Sequence, residues 1–432
     1  MPSLNIRNFG PIRSFNFNIK KLNVLIGKQA SGKSTTAKIL FFLKMVPIWL
    51  ATFTPSNRSG NLFELFQKDL RTKFLNLFGP VYHQRDLKIE YFFDDSNKES
   101  CIEIFQSHSE GNNYITIKFD SNTREQIEVF LTDLLNLPSS SQLRNNSITN
   151  NVLSDAIEEN VYKVMLDKAK KIFLETQTPI FIPAGRTQLT LFAGQLMSTA
   201  VSDTDIITNN FLRTIQNIRK LVGNGLEDTE LLARRTWAKQ PDAERAKLAR
   251  GLITKTLRGS YKIIHGDERI YHDNMAHTKL SVASSGQQES LWILLTAYML
   301  ILEKENVFIT FEEPEAHLYP ESQDTIMRLL VLLLGSAPNN QIIVTTHSPY
   351  LLTSINNLLS ANYYGRKNPK KVEAIIDRLL WLPGNSLSVY QLDGCGEDIF
   401  DKHLNMICSE KIDSASQIMN SEYKDIFSLG DA

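Results

Sequence analysis

The chain has 432 residues, enough for two or three lobes and too many for one simple core. With 42% hydrophobic and 22% charged residues it has a folded, globular composition, which excludes a disordered chain. Lys plus Arg and Asp plus Glu both number 47, so no overall positive field marks a bulk nucleic-acid binder; the 3 scattered cysteines, Cys101, Cys395 and Cys408, exclude a disulfide framework and point to a reducing compartment.

The amino terminus, MPSLNIRNFG, lacks a charged-then-apolar leader. Leu4–Asn8, Phe15–Ile19 and Leu22–Ile26 read as short strands, and a helix is predicted from Lys33 to about Lys44. The most apolar run, Ala37 to Thr54, is interrupted by Lys44 and Pro47 and reads as a buried helix, not a membrane span. Residues 55–80 form an amphipathic helix with Leu62, Leu65, Phe66 and Leu70 on one face. Leu87–Phe93, Cys101–Phe105 and Tyr114–Phe119 suggest an antiparallel meander, and 137–151 a polar loop. A helix from about Ser154 to Glu175 precedes a buried strand at Pro179–Ile182, which ends in Pro-Ala-Gly-Arg.

Residues 190–258 are mostly helical and densely charged, with no sustained heptad, so they form a compact insertion and not a long coiled coil. A hairpin around His265–Glu268 follows, then a helix at Gln288–Glu303, a strand at Val307–Phe311, a helix at Pro320–Leu334 and a strand at Gln341–Thr345. That alternation closes a mostly parallel sheet. A further helix is predicted near Lys371–Leu380. The chain divides into a lobe at 1–189, a helical insertion at 190–260, a second lobe at 261–365 and an extension at 366–432.

Gly27-Lys28-Gln29-Ala30-Ser31-Gly32-Lys33-Ser34, followed by Thr35, is a full GxxxxGK[ST] motif between a strand and a helix. Its glycines let successive N–H groups face phosphate oxygens, and the helix start adds partial positive charge. Lys33 would reach the β- and γ-phosphates of ATP, and the Ser34 hydroxyl would ligate Mg²⁺. At Val307–Glu315 an apolar strand ends in adjacent acids, Glu312 for the metal and Glu313 for polarising water. The same Glu-Glu-Pro-Glu also reads as an acidic helix cap. Ser284-Ser285-Gly286-Gln287 opens a helix with anion-binding geometry; it reads either as a plain Ser N-cap or as a cap for a γ-phosphate held by another subunit. His347 ends the next strand and can donate a hydrogen bond to that phosphate.

In this order the segments NFGPIRSFNFNIKKLNVLIGKQASGKST, SSGQQES, FEEPEAHLYPESQ and VTTHSPYLLTSINNLL resemble the SMC-like ABC ATPases of the bacterial OLD-family kind, of the AAA_15 and AAA_21 type. The resemblance covers the first forty residues and roughly 280–360. It implies an α/β ABC/SMC-type P-loop ATPase head, a mixed sheet with an antiparallel β-meander plus a compact helical insertion. It also implies ATP and Mg²⁺ as cofactors and a head-to-tail homodimer or higher oligomer in the cytoplasm, with no membrane partner. FIPAGR, residues 181–186, resembles a segment of the same group and places Arg186 near the nucleotide. Glu312 stands where many ABC proteins carry Asp, and Ser285 where transporters carry Gly; both suit the SMC-like branch. The Q-loop glutamine is open by position among Gln84, Gln106 and Gln188.

OLD-family nucleases append an acid cluster for two metal ions, and Asp393, Glu397, Asp398 and Asp401 lack that spacing, reading instead as a solvated turn and helix start. The chain itself is therefore expected to be an ATPase without a nuclease site. The resemblance extends to the ATPase subunit of anti-phage systems such as PARIS or Septu, which implies a separate effector, a nuclease or toxin. The alternative is a DNA-maintenance clamp, for which Arg234, Arg235, Lys239, Arg245, Lys247 and Arg250 supply the basic charge; Glu227, Glu230, Asp242 and Glu244 make the same stretch a solvated mixed face.

Overall fold

The structure is a computed structural model that describes residues 2–55, 60–81, 86–94, 97–109, 112–135, 151–191, 205–223, 225–237, 239–272 and 276–408. In chain order, β1 (Ser3–Phe9), β2 (Ile12–Asn18) and β3 (Leu22–Ile26) lead to α1 (Lys33–Ala51). Then come α2 (Leu62–Phe78), β4 (Lys88–Asp94), β5 (Asn97–Ser109), β6 (Asn112–Phe119), α3 (Ser121–Leu135), α4 (Asn151–Ile172) and β7 (Thr178–Ile182). Helices α5 (Arg186–Leu191), α6 (Ile206–Leu221), α7 (Leu226–Thr236) and α8 (Ala243–Leu257) precede β8 (Ser260–Ile264), β9 (Asp267–Tyr271) and β10 (His277–Lys279). The chain continues through α9 (Ser285–Glu303), β11 (Val307–Glu312), α10 (Pro320–Leu334), β12 (Gln341–Thr346), α11 (Pro349–Gly365) and α12 (Pro369–Glu373). It finishes in β13 (Leu387–Leu392), β14 (Gly396–Asp398), β15 (Phe400–Asp401) and β16 (Met406–Ile407).

Contacts divide the chain into two interleaved units: Met1–Ile19, Thr35–Pro179 and Thr204–Ile207 in one, Lys20–Ser34, Ile180–Asp203 and Thr208–Ala432 in the other. In the first, an antiparallel sheet runs in the order β2-β1-β4-β5-β6, so the meander continues onto the amino-terminal hairpin. Alternation builds it: Ile89, Tyr91 and Phe93 of β4, with Phe15 and Phe17 of β2, are buried while their neighbours are not. Asn61 caps α2 by accepting from Phe63 N and Glu64 N at 3.1 and 3.4 Å. Its buried face is Phe63, Phe66, Leu70 and Phe74, not the face through Leu62 and Leu65, which stay half-buried, because the aromatic rings bury more area. Phe74 packs against Phe9, Phe42 and Phe78, with centroids 5.8, 5.4 and 4.7 Å away.

Among the described residues one helix, α1, is long and apolar enough to cross a membrane, and 72% of that window is buried in the fold. Its Lys44 is 5% exposed, pairs with Glu175 at 2.6 Å and donates to Gln177 Oε1 at 3.1 Å. Burial alone depresses the Lys44 ammonium, but Tyr91 and Glu175 outweigh it and hold its pKa above the ordinary lysine value.

The second unit holds a sheet in the order β14-β13-β3-β12-β11-β7. β13, β3, β12 and β11 run parallel, and β14 is antiparallel to β13. β3 and β11 are buried at every position, as expected of strands covered on both faces. Asn23 staples the middle of this sheet: it donates to Ile342 O at 3.2 Å and accepts from Ser388 Oγ at 2.7 Å. The core comprises α9, buried from Glu289 to Leu302, the inner faces of α10 and α11, and Phe211, Ile215, Ala246, Ala249 and Ile253 from α6 and α8. The expected α/β P-loop architecture with a separate antiparallel meander is the one observed.

No helix spans Lys371–Leu380: α12 stops at Glu373, and Asp377 caps a 3-10 turn, Arg378–Leu380, by accepting from Leu379 N at 2.9 Å. Asp393–Asp401 is not a helix start but the turn and strands β14 and β15, and β13 beside it completes the sheet next to β3. Helices α3 and α11 are additions to the sequence reading. Of the loop at 137–151, residues 137–150 lie outside the described residues, as do 192–204 of the helical insertion and 409–432 of the extension.

Candidate nucleotide site

Strand register gathers the motifs at one edge of the sheet. Ile26, the last residue before the P-loop, is paired with Thr346, and Thr345 with Glu312. The P-loop, His347 and the paired acids therefore leave the carboxyl ends of three adjacent parallel strands, where ligands bind in open α/β sheets. Gln391 of β13 pairs with Ile26 on the other side. A Cβ on Gly27 would stand 2.2 Å from the Leu392 carbonyl oxygen, so only glycine permits this approach.

Within the loop, Lys28, Gln29 and Ala30 are exposed, and Ala30 takes a left-handed φ of 59°, costing roughly 1–2 kcal/mol. Ser31 is buried and its Oγ has no hydrogen-bond partner. Gly32 is also buried, and α1 begins at Lys33. Lys33, 5% exposed, folds back to donate to the carbonyls of Gly27 and Lys28 at 2.9 and 2.8 Å. Burial lowers its pKa, opposed by Glu313 and Glu315. Ser34 is exposed and Thr35 half-buried on the first turn of α1.

Glu312 is 5% exposed; its Oε2 accepts from Ala184 N at 3.3 Å, while Oε1 is buried with no hydrogen-bond partner. An unsatisfied buried carboxylate oxygen is costly, and a hard divalent cation such as Mg²⁺ would satisfy it. Glu313 is held at φ 43°, with its N–H bonded to Thr345 O at 2.9 Å. This left-handed turn presents its carboxylate to solvent, 3.3 Å from His347 Nε2. Glu315, which the sequence offered only as part of an acidic string, is a brace: its Oε1 accepts from Thr346 Oγ1 at 2.6 Å and His347 N at 2.8 Å. A carboxylate three residues beyond the strand end is the signal that marks it.

Ser284 caps α9 in a reciprocal box: its Oγ accepts from Gln287 N at 3.4 Å, and Gln287 Oε1 accepts from Ser284 N at 3.2 Å. Those two side chains serve the helix, as the plain N-cap reading anticipates. Ser285 is left exposed at the first helical position, and its hydroxyl makes no hydrogen bond to another described residue. Gly286 is required by packing, since a Cβ there would meet His317 O at 2.8 Å. Among the described residues no hydrogen bond or ion pair joins the 284–287 turn to the P-loop. Arg186 lies beneath the acids, fully buried against backbone carbonyls. Of the Q-loop candidates, Gln106 pairs opposite Ile115 in the antiparallel sheet, Gln188 lies on α5, and Gln84 falls outside the described residues.

The family model for the AAA ATPase domain (AAA_15) matches residues 46–352. The chain belongs to this AAA ATPase domain family. The match contains the 284–287 turn, both acids and His347, and begins after the P-loop. Membership makes this an ATPase-domain protein, and nucleotide binding follows from it. No curated protein matches the chain. Among solved structures it is similar to the SMC head domain from Thermotoga maritima, at 12% identity and TM-score 0.36, covering 92% of this chain and 97% of that one. It is also similar to the Smc head domain with an extended coiled coil bound to the C-terminal domain of ScpA, derived from Pyrococcus furiosus, at 13% identity and TM-score 0.37, covering 98% and 100%. The dimeric bacterial ABC transporter cassette MJ0796 is matched at 13% identity and TM-score 0.29, covering 92% and 97%.

Proposed function

We propose that the protein hydrolyses ATP as an SMC-like ABC-type subunit whose sites are completed when two chains meet head to tail. The observation that carries this reading is the Ser285 hydroxyl exposed at a helix start, with no hydrogen bond among the described residues from its turn to the chain's own P-loop. In this reading Gly27 to Thr35 cradle the phosphates, with Lys33 exchanging its carbonyl partners for phosphate oxygens. Ser34 and Glu312 would hold Mg²⁺, which draws negative charge from the phosphate oxygens when bound. Glu313 takes a proton from the attacking water, and His347 keeps that carboxylate in place. Loss of the γ-phosphate removes the bridge, and the two heads part.

The test mixes two inactive variants, Lys33→Ala and Ser285→Arg. A mixed dimer holds one intact composite site, so some turnover returns, at most about a quarter of wild type at equal amounts, since half the dimers are mixed with one of two sites each. No recovery at any ratio refutes the shared site.

Beyond hydrolysis, we propose that this subunit senses a trigger and controls a separate nuclease or toxin in anti-phage defence, within the cytoplasm. The support is the resemblance of its motifs together with an acid set at 393–401 that forms turns and short strands. Co-purification with the product of the neighbouring gene tests it, and a chain that purifies alone and protects cells by itself refutes it.

A second reading, a DNA clamp, changes its footing. Arg234, Arg245 and Arg250 of the helical stretch are engaged by Glu230, Asp242 and Glu227, and Lys239 by Glu305. Arg235 and Lys247 of that stretch stay exposed, and basic charge is also exposed at Arg366, Lys367, Lys370 and Lys371, beside Tyr363 and Tyr364, which are 52% and 59% exposed. Exposed cations gathered on one stretch suit the phosphate backbone of a duplex. Steep loss of duplex binding with salt, reduced by Lys370→Glu, supports this reading; salt-insensitive or absent binding removes it.

A further inference from the structure

Arg186 opens α5 and has 0% exposure. Its guanidinium reaches three separate segments. Nε donates to the Glu289 carbonyl at 3.0 Å and lies 3.3 Å from Glu289 Oε2, on the first turns of α9. Nη1 donates to Pro183 O at 2.9 Å and Glu312 O at 2.7 Å, and Nη2 to Glu313 O at 3.1 Å. Glu289 is itself 5% exposed and accepts from Thr187 N at 3.2 Å through Oε1. A second tie runs alongside, because Gly286 lies so close to the His317 carbonyl that no side chain fits between them.

The arrangement is more than a filled cavity. A buried guanidinium is costly to desolvate, and here burial depresses its pKa while Glu289, Glu315, Glu312 and Glu313 oppose that shift. Its planar fork fixes the carbonyls of both acids relative to α9, just where Glu313 is held at a positive φ that a free chain would abandon. The first turns of the helix carrying Ser285 and the turn carrying Glu313 are therefore tied through one side chain.

We propose that Arg186 is a positioning residue that couples the two nucleotide sites of the pair. It ties the serine-tipped turn of one chain, which caps the partner's nucleotide, to the acids that act on the chain's own nucleotide. This rests on the head-to-tail reading above. Capture of a phosphate by Ser285 and Gly286 shifts the start of α9, and the guanidinium carries that shift to the Glu313 backbone. Occupation of one site thereby sets the geometry of the other.

The experiment compares full-length wild type, Arg186→Lys and Glu289→Gln in ATP turnover across ATP concentrations. Arg186→Lys keeps a positive charge but cannot span three segments, and Glu289→Gln keeps size and the Thr187 bond while losing the ion pair. Wild type is expected to show a Hill coefficient approaching 2, about the number of sites, and both variants one close to 1. Turnover per folded chain falls at least about tenfold, as for an interaction used at the reacting state. ATP affinity of the unpaired chain, read in a Ser285→Arg background, stays at the wild-type value. A merely structural role lowers the folded fraction and leaves the Hill coefficient unchanged, which overturns the proposal, as does a wild-type coefficient of 1. Should Arg186→Lys fail to fold, Glu289→Gln decides alone. The foundation is separable: if Glu313→Gln assembles on ATP yet both variants keep wild-type cooperativity, only the coupling fails. If Glu313→Gln does not assemble, the head-to-tail reading fails with it.

Discussion

Replacing Glu313 with glutamine removes a charge and a proton acceptor while leaving shape almost unchanged. The residue is 39% exposed at its side chain, and its place is set by backbone contacts that the substitution spares: its N–H to Thr345 O at 2.9 Å and its carbonyl to Arg186 at 3.1 Å. The 3.3 Å contact with His347 can persist through the glutamine oxygen. Stability should therefore move by no more than about 0.5 kcal/mol, the usual range for a surface change. Loss of a positioned general base costs about 10²- to 10⁴-fold in rate, or roughly 3–5 kcal/mol of barrier. Single-turnover hydrolysis should slow by that factor while ATP affinity holds within about threefold. Light scattering should then show a lasting ATP-dependent dimer. A variant that turns over at the wild-type rate, or loses ATP affinity and hydrolysis together, refutes the assignment of Glu313 as the acceptor.

Other outcomes follow from single contacts. Gly286→Ala drives a Cβ to within 2.8 Å of the His317 carbonyl and should cost about 1–3 kcal/mol by thermal unfolding without nucleotide; an unchanged midpoint would make the glycine a purely intersubunit feature. Glu175→Ala strands the buried Lys44 ammonium and should destabilise by about 3–5 kcal/mol, read by denaturant unfolding. Glu303 has its pKa raised to about 7 by burial and then by Glu305, so the folded state binds more protons than the unfolded chain between pH 4.5 and 7. Stability from this group is thus complete below about pH 4.5 and is lost as pH rises through 7, at most about 3 kcal/mol. Glu303→Gln should raise the unfolding midpoint at pH 8 and leave it unchanged at pH 4.5, and a pH-independent difference would contradict the cause given.

The parts of this molecule that were legible from sequence are those whose chemistry is local. A P-loop needs a strand, glycines and a helix start within a few residues, and β11 and β12 announce themselves as unbroken apolar runs. Arg186 defeats that approach because its partners Glu289 and Glu312 are 103 and 126 residues away. The sequence places it near the nucleotide, and its buried position behind the acids comes only from tertiary packing. The helix expected at Lys371–Leu380 is broken in two: α12 stops at Glu373, and Asp377 starts a separate 3-10 turn by accepting from Leu379 N. On α2 the sequence pattern places Phe66 and Leu70 on the buried face, where they are, but the clustering of Phe74 with Phe9, Phe42 and Phe78 puts Phe63 there and not Leu62 or Leu65.

The pairing of Lys44 with Glu175 also orders events during synthesis. The two residues are separated by 131 positions, so the ribosome finishes an apolar helix long before it supplies the acid that neutralises the ammonium within it. At cellular elongation rates that interval lasts roughly 7–26 s. Throughout it Phe74 can already pack on Phe42, but the Lys44 ammonium has no carboxylate to meet and must stay hydrated, so the helix cannot bury its charged position until Glu175 emerges.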